Sequence, residues 1–230
     1  MAVALCGTLG ACAAGEDPYE ATNRRFHDFN VALDSNVLRP VAQGYDVVAA
    51  GPIKLMIGNG LNHLELPVDF ANYVLQGESR LALRVLGRFT LNTVVGAGGL
   101  LDPATEFGLP REETDFGVTL GKYGVAGGPY LVLPLLGPTN PRDLGGSVVD
   151  MAFSPTTYTG FSSSDALNLL SAPLPVVDVV DSRAQNADLI DELLYESTDS
   201  YVTLRSVYLQ RREAQILGED ASVPDIFDEE

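Results

Sequence analysis

Asp115-Phe116-Gly117-Val118-Thr119-Leu120-Gly121-Lys122-Tyr123-Gly124-Val125 leads into Gly128-Pro129-Tyr130-Leu131-Val132-Leu133-Pro134, then Gly137-Pro138 and Arg142-Asp143. Residues 115–146 hold eight glycines among apolar and aromatic side chains, with Pro129, Pro134, Pro138 and Pro141 between them. Polar-loop chemistry does not account for residues 130–136, where six of seven side chains are apolar or aromatic and a proline sits inside. The run is either a buried strand or a set of short, broken helices.

Outward from this segment the pattern is helical. Residues 78–95 place Leu81, Val85, Leu86, Phe89 and Val94 at helical spacing, with Arg80, Arg84 and Arg88 as a basic stripe alongside. Asp17-Pro18-Tyr19-Glu20 predicts a helix start, with Asp17 accepting orphan N–H groups and Pro18 in the first turn. The same grammar recurs at Asn140-Pro141-Arg142-Asp143 and, more weakly, at Ser154-Pro155. In the first helix Phe26, Phe29, Val31 and Leu33 form a ragged stripe. Pro40 and Pro52 predict breaks that leave short helices. Toward the C-terminus Val176, Val180, Ala184, Ala187, Ile190 and Leu194 follow one face. Asp199 is the expected cap of a last helix carrying Tyr201, Leu204, Tyr208 and Ile216. No internal repeat and no long linker divides the chain, which predicts one mainly helical domain.

The 230 residues carry a net charge of -17, which argues against binding a polyphosphate backbone and so against nucleic acid. No run approaches the roughly 18 consecutive apolar residues of a spanning helix. Cysteine occurs only at Cys6 and Cys12. Leu9-Gly10-Ala11-Cys12 fits a bacterial lipobox, whereas Leu5 before Cys6 is too large for a cleavage position. Cleavage before Cys12 leaves a thiol for acylation and none for a disulfide or a cysteine metal site. Each buried acyl CH₂ contributes about 0.8 kcal/mol to anchoring. Residues 1–11 are then a signal peptide. Residues 1–9 contain no Lys or Arg and form a short apolar stretch, so a start further upstream is expected. Residues 12–16 form a lipidated tether, 17–217 the helical domain, and 218–230 an acidic, disordered tail. Residues 213–230 hold seven acidic and no basic side chains.

Catalytic signals are weak. His27 and His63 lie in unrelated contexts, and His63 has no HExxH-type spacing. There is no GxSxG elbow and no Ser-x-x-Lys, and Gly96-Ala97-Gly98-Gly99 lacks a phosphate-loop lysine. Asp102, Asp115, Asp143 and Asp150 read as buried carboxylates paired with Arg88, Arg142 or Arg183. No enzyme activity, metal or cofactor is expected.

The glycine–aromatic run resembles the MlaA/VacJ family of outer-membrane lipoproteins. Asp17-Pro18, Asn23-Arg24, Phe29-Asn30 and Leu38-Arg39-Pro40-Val41 resemble its opening helices. Asn72, Leu75-Gln76-Gly77, Arg88-Phe89, Asn92-Thr93, Gly96 and Gly98-Gly99-Leu100 follow, and Arg183-Ala184, Tyr208-Leu209 and Arg211-Arg212 resemble its C-terminal helices. The resemblance implies a mainly α, single ring-like bundle of short helices around a central amphipathic channel. It implies a lipid-anchored protein in the inner leaflet of the outer membrane, facing the periplasm. Such proteins remove misplaced phospholipids from the outer leaflet, pass them to a periplasmic lipid-carrier protein of the Mla system, and associate with a trimeric porin. Ala13 after the cysteine favours outer-membrane sorting by the same analogy. An envelope phospholipase and a structural surface lipoprotein are the alternatives.

The resemblance places residues 127–137 as a hairpin-like loop at the channel. Gly127, Gly128, Pro129, Tyr130, Pro134 and Gly137 are the candidate loop residues, as hinges or as shapers of tight turns. Asn23, Arg24, Asp28 and Asn30 are candidates for polar groups along the lipid path, the alternative being a solvated or packed helix face.

Overall fold

The computed structural model describes residues 17–49, 51–159 and 174–218. Cys12, the signal peptide, the tether and residues 219–230 of the acidic tail lie outside the described residues.

Helix α1 (Glu20–Leu33) passes through a π-helical turn (Asp34–Leu38) into α2 (Arg39–Val48). The break expected at Pro40 is therefore absent. The wider turn closes on Asp34 O through the Arg39 N–H, and Pro40 falls in the first turn of α2, where no donor is required of it. Pro52 starts a helix of 24 residues, α3 (Pro52–Leu75), that also contains Pro67. The expectation of short helices after Pro52 is thus overturned for α3. Helix α1 itself begins at Glu20, and Asp17 takes the Tyr19 N–H at 2.9 Å instead of capping deeper into the first turn.

A turn at Gly77 reverses the chain into α4 (Ser79–Val94), which packs along α3. Short helices α5 (Pro103–Glu106) and α6 (Phe116–Lys122) follow, capped by Asp102 and Asp115. The run 130–136 then resolves as a strand and a turn. Strand β1 (Leu131–Leu133) pairs antiparallel with β2 (Gly137–Thr139), with Val132 opposite Pro138. Helices α7 (Pro141–Phe153), α8 (Pro155–Thr159), α9 (Leu174–Gln185) and α10 (Ala187–Asp191) come next. A second π-helical turn (Glu192–Glu196) precedes α11 (Ser200–Leu217). Asn140 and Asp199 cap α7 and α11 through the Asp143 and Val202 N–H groups, as their sequence contexts predict.

The glycines of the opening motif allow α6 and α7 to touch backbone to backbone. A Cβ on Gly146 would lie 2.4 Å from Gly117 N. One apolar cluster joins α3 to α4 (Leu66, Tyr73, Ala82, Val85), and a second joins the hairpin to α11 (Tyr130, Val132, Tyr201).

Beyond these clusters the side chains are distributed inside out. Asn72, Arg88, Asn92, Asp143, Asp181 and Arg183 are buried, while Val48, Leu55, Val94, Val148 and Val176 are exposed. In helix α9 Asp181 and Arg183 are buried together with Ala184 of the predicted apolar stripe, while Val176, in the first turn, is exposed. Among the described residues no helix is long and apolar enough to cross a membrane.

Candidate functional site

Some of the buried polar groups, among them Asp34, Asp69, Thr114, Asp143 and Arg183, line a set of cavities. The first, of about 540 Å³, lies between α3, the approach to α6, β2, α7 and α11. A second, of about 610 Å³, shares Arg111, Glu113, Thr114, Arg211 and Gln215 with it. A small cavity of about 190 Å³ shares Glu65 and Ser154 with the first. Asp178 lines both that small cavity and a fourth, of about 400 Å³. The walls change character along this series. Charged side chains make up about half of the lining of the first two, whereas Leu33, Leu38, Leu135, Leu136, Val179 and Ile190 line much of the fourth.

The charges on the polar walls are held in place by one another. Arg212 bridges Asp115, at 2.5 and 2.9 Å, and Asp143, at 2.7 Å. Arg142 and the Tyr208 hydroxyl also donate to Asp143. Burial alone would raise the Asp143 carboxyl, but the donors Arg212, Tyr208 and Arg142 outweigh it and hold the group at about 2. Arg111 pairs with Glu65 and Glu113. Asp69 has weaker support. Burial pushes its carboxyl up to about 7, against the Thr114 N–H and nearby Arg111. The pairing expected for the four carboxylates holds in part: Asp102 meets Arg88 and Asp143 meets Arg142. Asp115 instead takes Arg212, Asp150 takes Asn72 and the Phe116 N–H, and Arg183 binds Asp34 and Asp191.

The hairpin forms part of both kinds of wall. Pro138 and Thr139 line the first cavity, and Leu135, Leu136 and Gly137 the fourth. Two asparagines of α1 dock its free edge. Asn23 Nδ2 donates to Tyr130 O at 3.0 Å, while its Oδ1 accepts from Val132 N at 3.0 Å. Asn30 repeats the pattern with Leu133 O at 2.9 Å and Leu135 N at 2.8 Å. The spacing explains the fit. Seven helical residues rise about 10.5 Å, and the three-residue step along the strand spans about 10 Å. Each amide thus replaces a neighbouring strand. Leu135, at the turn, is held at φ 69°, a conformation unusual for a branched side chain.

The lipid-path candidates therefore divide. Asn23 is only 2% exposed and sits behind the hairpin, whereas Asn30 lines the fourth cavity. Arg24 pairs with Glu20 and Asp199 and lies over the Tyr201 ring, and Asp28 is exposed. Among the loop candidates, Gly137 lines the fourth cavity, Tyr130 is buried against Tyr201 and Tyr208, and Pro134 is exposed in the turn. Gly127 and Gly128 pack close to Asn140 and Pro141, and Gly128 has φ +78°. Pro129 connects them to Tyr130. Bulky side chains at both glycines would displace the start of α7, so such variants perturb packing as well as any motion of the loop.

One contact resembles a nucleophile and base: His27 Nε2 lies 2.8 Å from Ser200 Oγ. It joins α1 to α11, and neither residue lines these cavities. Burial lowers the His27 pKa, with Arg24 adding to that and Asp28 and Asp199 opposing it. Among the described residues no group of three or more His, Cys, Asp or Glu side chains is placed to hold a metal ion.

The profile of the MlaA lipoprotein family matches residues 15–215. The chain belongs to the MlaA lipoprotein family. The intermembrane phospholipid transport system lipoprotein MlaA of Haemophilus influenzae is 35% identical over 217 residues, covering 91% of this chain and 84% of that protein. The MlaA of Escherichia coli K12 is also 35% identical over 217 residues, covering 90% and 82%. An uncharacterized protein of Rickettsia felis is 38% identical over 206 residues, covering 89% and 80%. A structure solved in work on the structural basis for maintenance of bacterial outer membrane lipid asymmetry superimposes with a TM-score of 0.76. It is 36% identical, and the match covers 87% of this chain and 99% of that one. The mainly α architecture is therefore a family property. Asp69, Arg111, Arg211 and Arg212 line the first cavity and are not among the lipid-path candidates that the sequence suggests. The available signal was a charge, Asp69, inside the apolar stretch Leu66-Pro67-Val68-Asp69-Phe70.

Proposed function

We propose that this chain is an outer-membrane lipoprotein of intermembrane phospholipid transport, and that lipid passes through the cavity series. The observation that carries this reading is the combination of outward apolar side chains with an interior that changes from charged to apolar. A phospholipid leaving a bilayer needs a polar route for its headgroup and an apolar surround for its tails. Charge and irregular backbone at membrane depth are tolerated where they line a cavity. The names of the H. influenzae and E. coli relatives support the same reading.

The ring-like arrangement around a channel, the seat in the inner leaflet, the anchor at Cys12 and the opening toward the periplasm belong to this proposal. So do the removal of lipid from the outer leaflet, its transfer to a periplasmic carrier, and a trimeric porin partner. Asn30 and Gly137 are the proposed wall residues among the sequence candidates. The test is outer-leaflet phospholipid, measured with a surface-restricted label in a strain lacking the protein. The proposal predicts a rise that the intact chain reverses and a Cys12→Ser form does not. No rise would overturn the transport reading and favour a structural lipoprotein.

A further inference from the structure

Six carboxylates and three guanidinium groups line the first cavity, so its wall carries surplus negative charge. The cations are already engaged. Arg111 contacts Glu65 and Glu113, Arg211 contacts Glu113, and Arg212 contacts Asp115 and Asp143. An added anion would have to displace one of these partners. Among the carboxylates, Asp150 has Asn72 and the Phe116 N–H. Asp69 differs from the rest. It is only 4% exposed, its Oδ1 accepts from Thr114 N at 3.0 Å, and its Oδ2 has no hydrogen-bond partner. A buried acceptor of this kind is costly unless something fills it.

We propose that Asp69 receives the ammonium group of a phospholipid headgroup, so that this cavity takes zwitterionic lipids in preference to lipids carrying only negative charge. The proposal rests on the transport reading and adds the class of headgroup to it. The chemistry is complementary: an ammonium has only donors to offer, and Asp69 has a free acceptor. The bond is charge-assisted and lies in a cleft whose net charge attracts cations. The raised Asp69 pKa fits a group that gives up its proton when a cation arrives.

The test equilibrates the purified full-length protein with vesicles of equal phosphatidylethanolamine and phosphatidylglycerol, and measures bound lipid by mass spectrometry. The expected result is about tenfold enrichment of phosphatidylethanolamine, corresponding to about 1.4 kcal/mol. Asp69→Asn is expected to abolish the enrichment. Asparagine keeps an acceptor for Thr114 N and removes a buried charge, and a melting curve verifies the variant's fold. A second arm needs no variant. Free ethanolamine should reduce uptake of phosphatidylethanolamine by the wild-type protein and leave phosphatidylglycerol uptake unchanged. Equal uptake of both lipids, enrichment that survives Asp69→Asn, or no effect of ethanolamine would overturn the headgroup assignment while leaving transport intact. Ethanolamine binding without lipid enrichment would mark a free-amine site and overturn it equally. Binding of neither lipid would overturn the transport reading and this inference with it.

Discussion

Replacing Asn23 and Asn30 separately by alanine should affect the hairpin unequally. Asn23 serves Tyr130 O and Val132 N, and Val132 is only 3% exposed. Removing the amide leaves a buried donor and acceptor without partners, at about 1–3 kcal/mol each, so a loss of about 3 kcal/mol is expected. At about 2–4 °C per kcal/mol for a chain of this size, the melting temperature should fall by about 10 °C. Asn30 serves Leu133 O and Leu135 N beside the exposed turn. Water can replace it there, so Asn30→Ala should cost about 1 kcal/mol and about 3 °C. Its local effect is larger than its global one. Without the Asn30 Oδ1 acceptor, the Leu135 amide should exchange with solvent about tenfold faster, while amides in α3 and α4 keep their protection. Thermal melts of the two variants, with residue-resolved hydrogen exchange, provide the assay. Equal melting shifts, or unchanged exchange at Leu135 in Asn30→Ala, would refute the docking of the strand edge by these amides.

Asp69→Asn should stabilise the protein at high pH. The folded carboxyl titrates near 7 against 3.8 for the ordinary group, so the penalty of ionising it grows as pH rises from about 4 to 7 and is complete above that. The gain approaches about 4 kcal/mol at pH 8 and vanishes below about pH 4, as checked by denaturant melts at both pH values. Asp143 has the opposite sign. Its folded pKa of about 2 contributes stability above about pH 4, which is lost as pH falls through 2, and Asp143→Asn should flatten that part of the acid-unfolding curve. Arg212→Ala leaves Asp115 and Asp143 without their shared cation, and should cost about 3–5 kcal/mol in a urea melt. Leu135→Gly relieves the positive φ and should raise stability by about 1 kcal/mol, measured the same way.

Much of the framework is legible in the sequence because caps and helix faces are local. Asn140-Pro141 and Asp199 mark the starts of α7 and α11, and residues 78–95 enclose α4. Pro40 misled because proline forbids only a particular backbone bond, and a π-helical turn supplies a path around it. Val176 misled because it sits in the first turn of α9, whereas the stripe is buried further along, at Ala184, beside Asp181 and Arg183. The site was less legible than the fold. Asn23 and Asn30 stand out as polar residues on α1, but their partners lie more than 100 residues away. A similar distance hides the Asp115–Arg212 pair, separated by 97 residues. Only the buried, half-satisfied state of Asp69 marks it out, and that state depends on Thr114 and the closing of the cavity around it.

The central claim is that phospholipid travels through the interior of the molecule. Its most direct test places a photoactivated cross-linking side chain at Ser147 or Thr139, both on the wall of the first cavity, and another at Val48 on the outer surface. Irradiation in native membranes, followed by mass spectrometry, is predicted to give phospholipid adducts at Ser147 and Thr139, reduced by Arg212→Ala. Adducts at Val48 with none at Ser147 or Thr139 would mean that lipid touches only the outside, and would contradict the account.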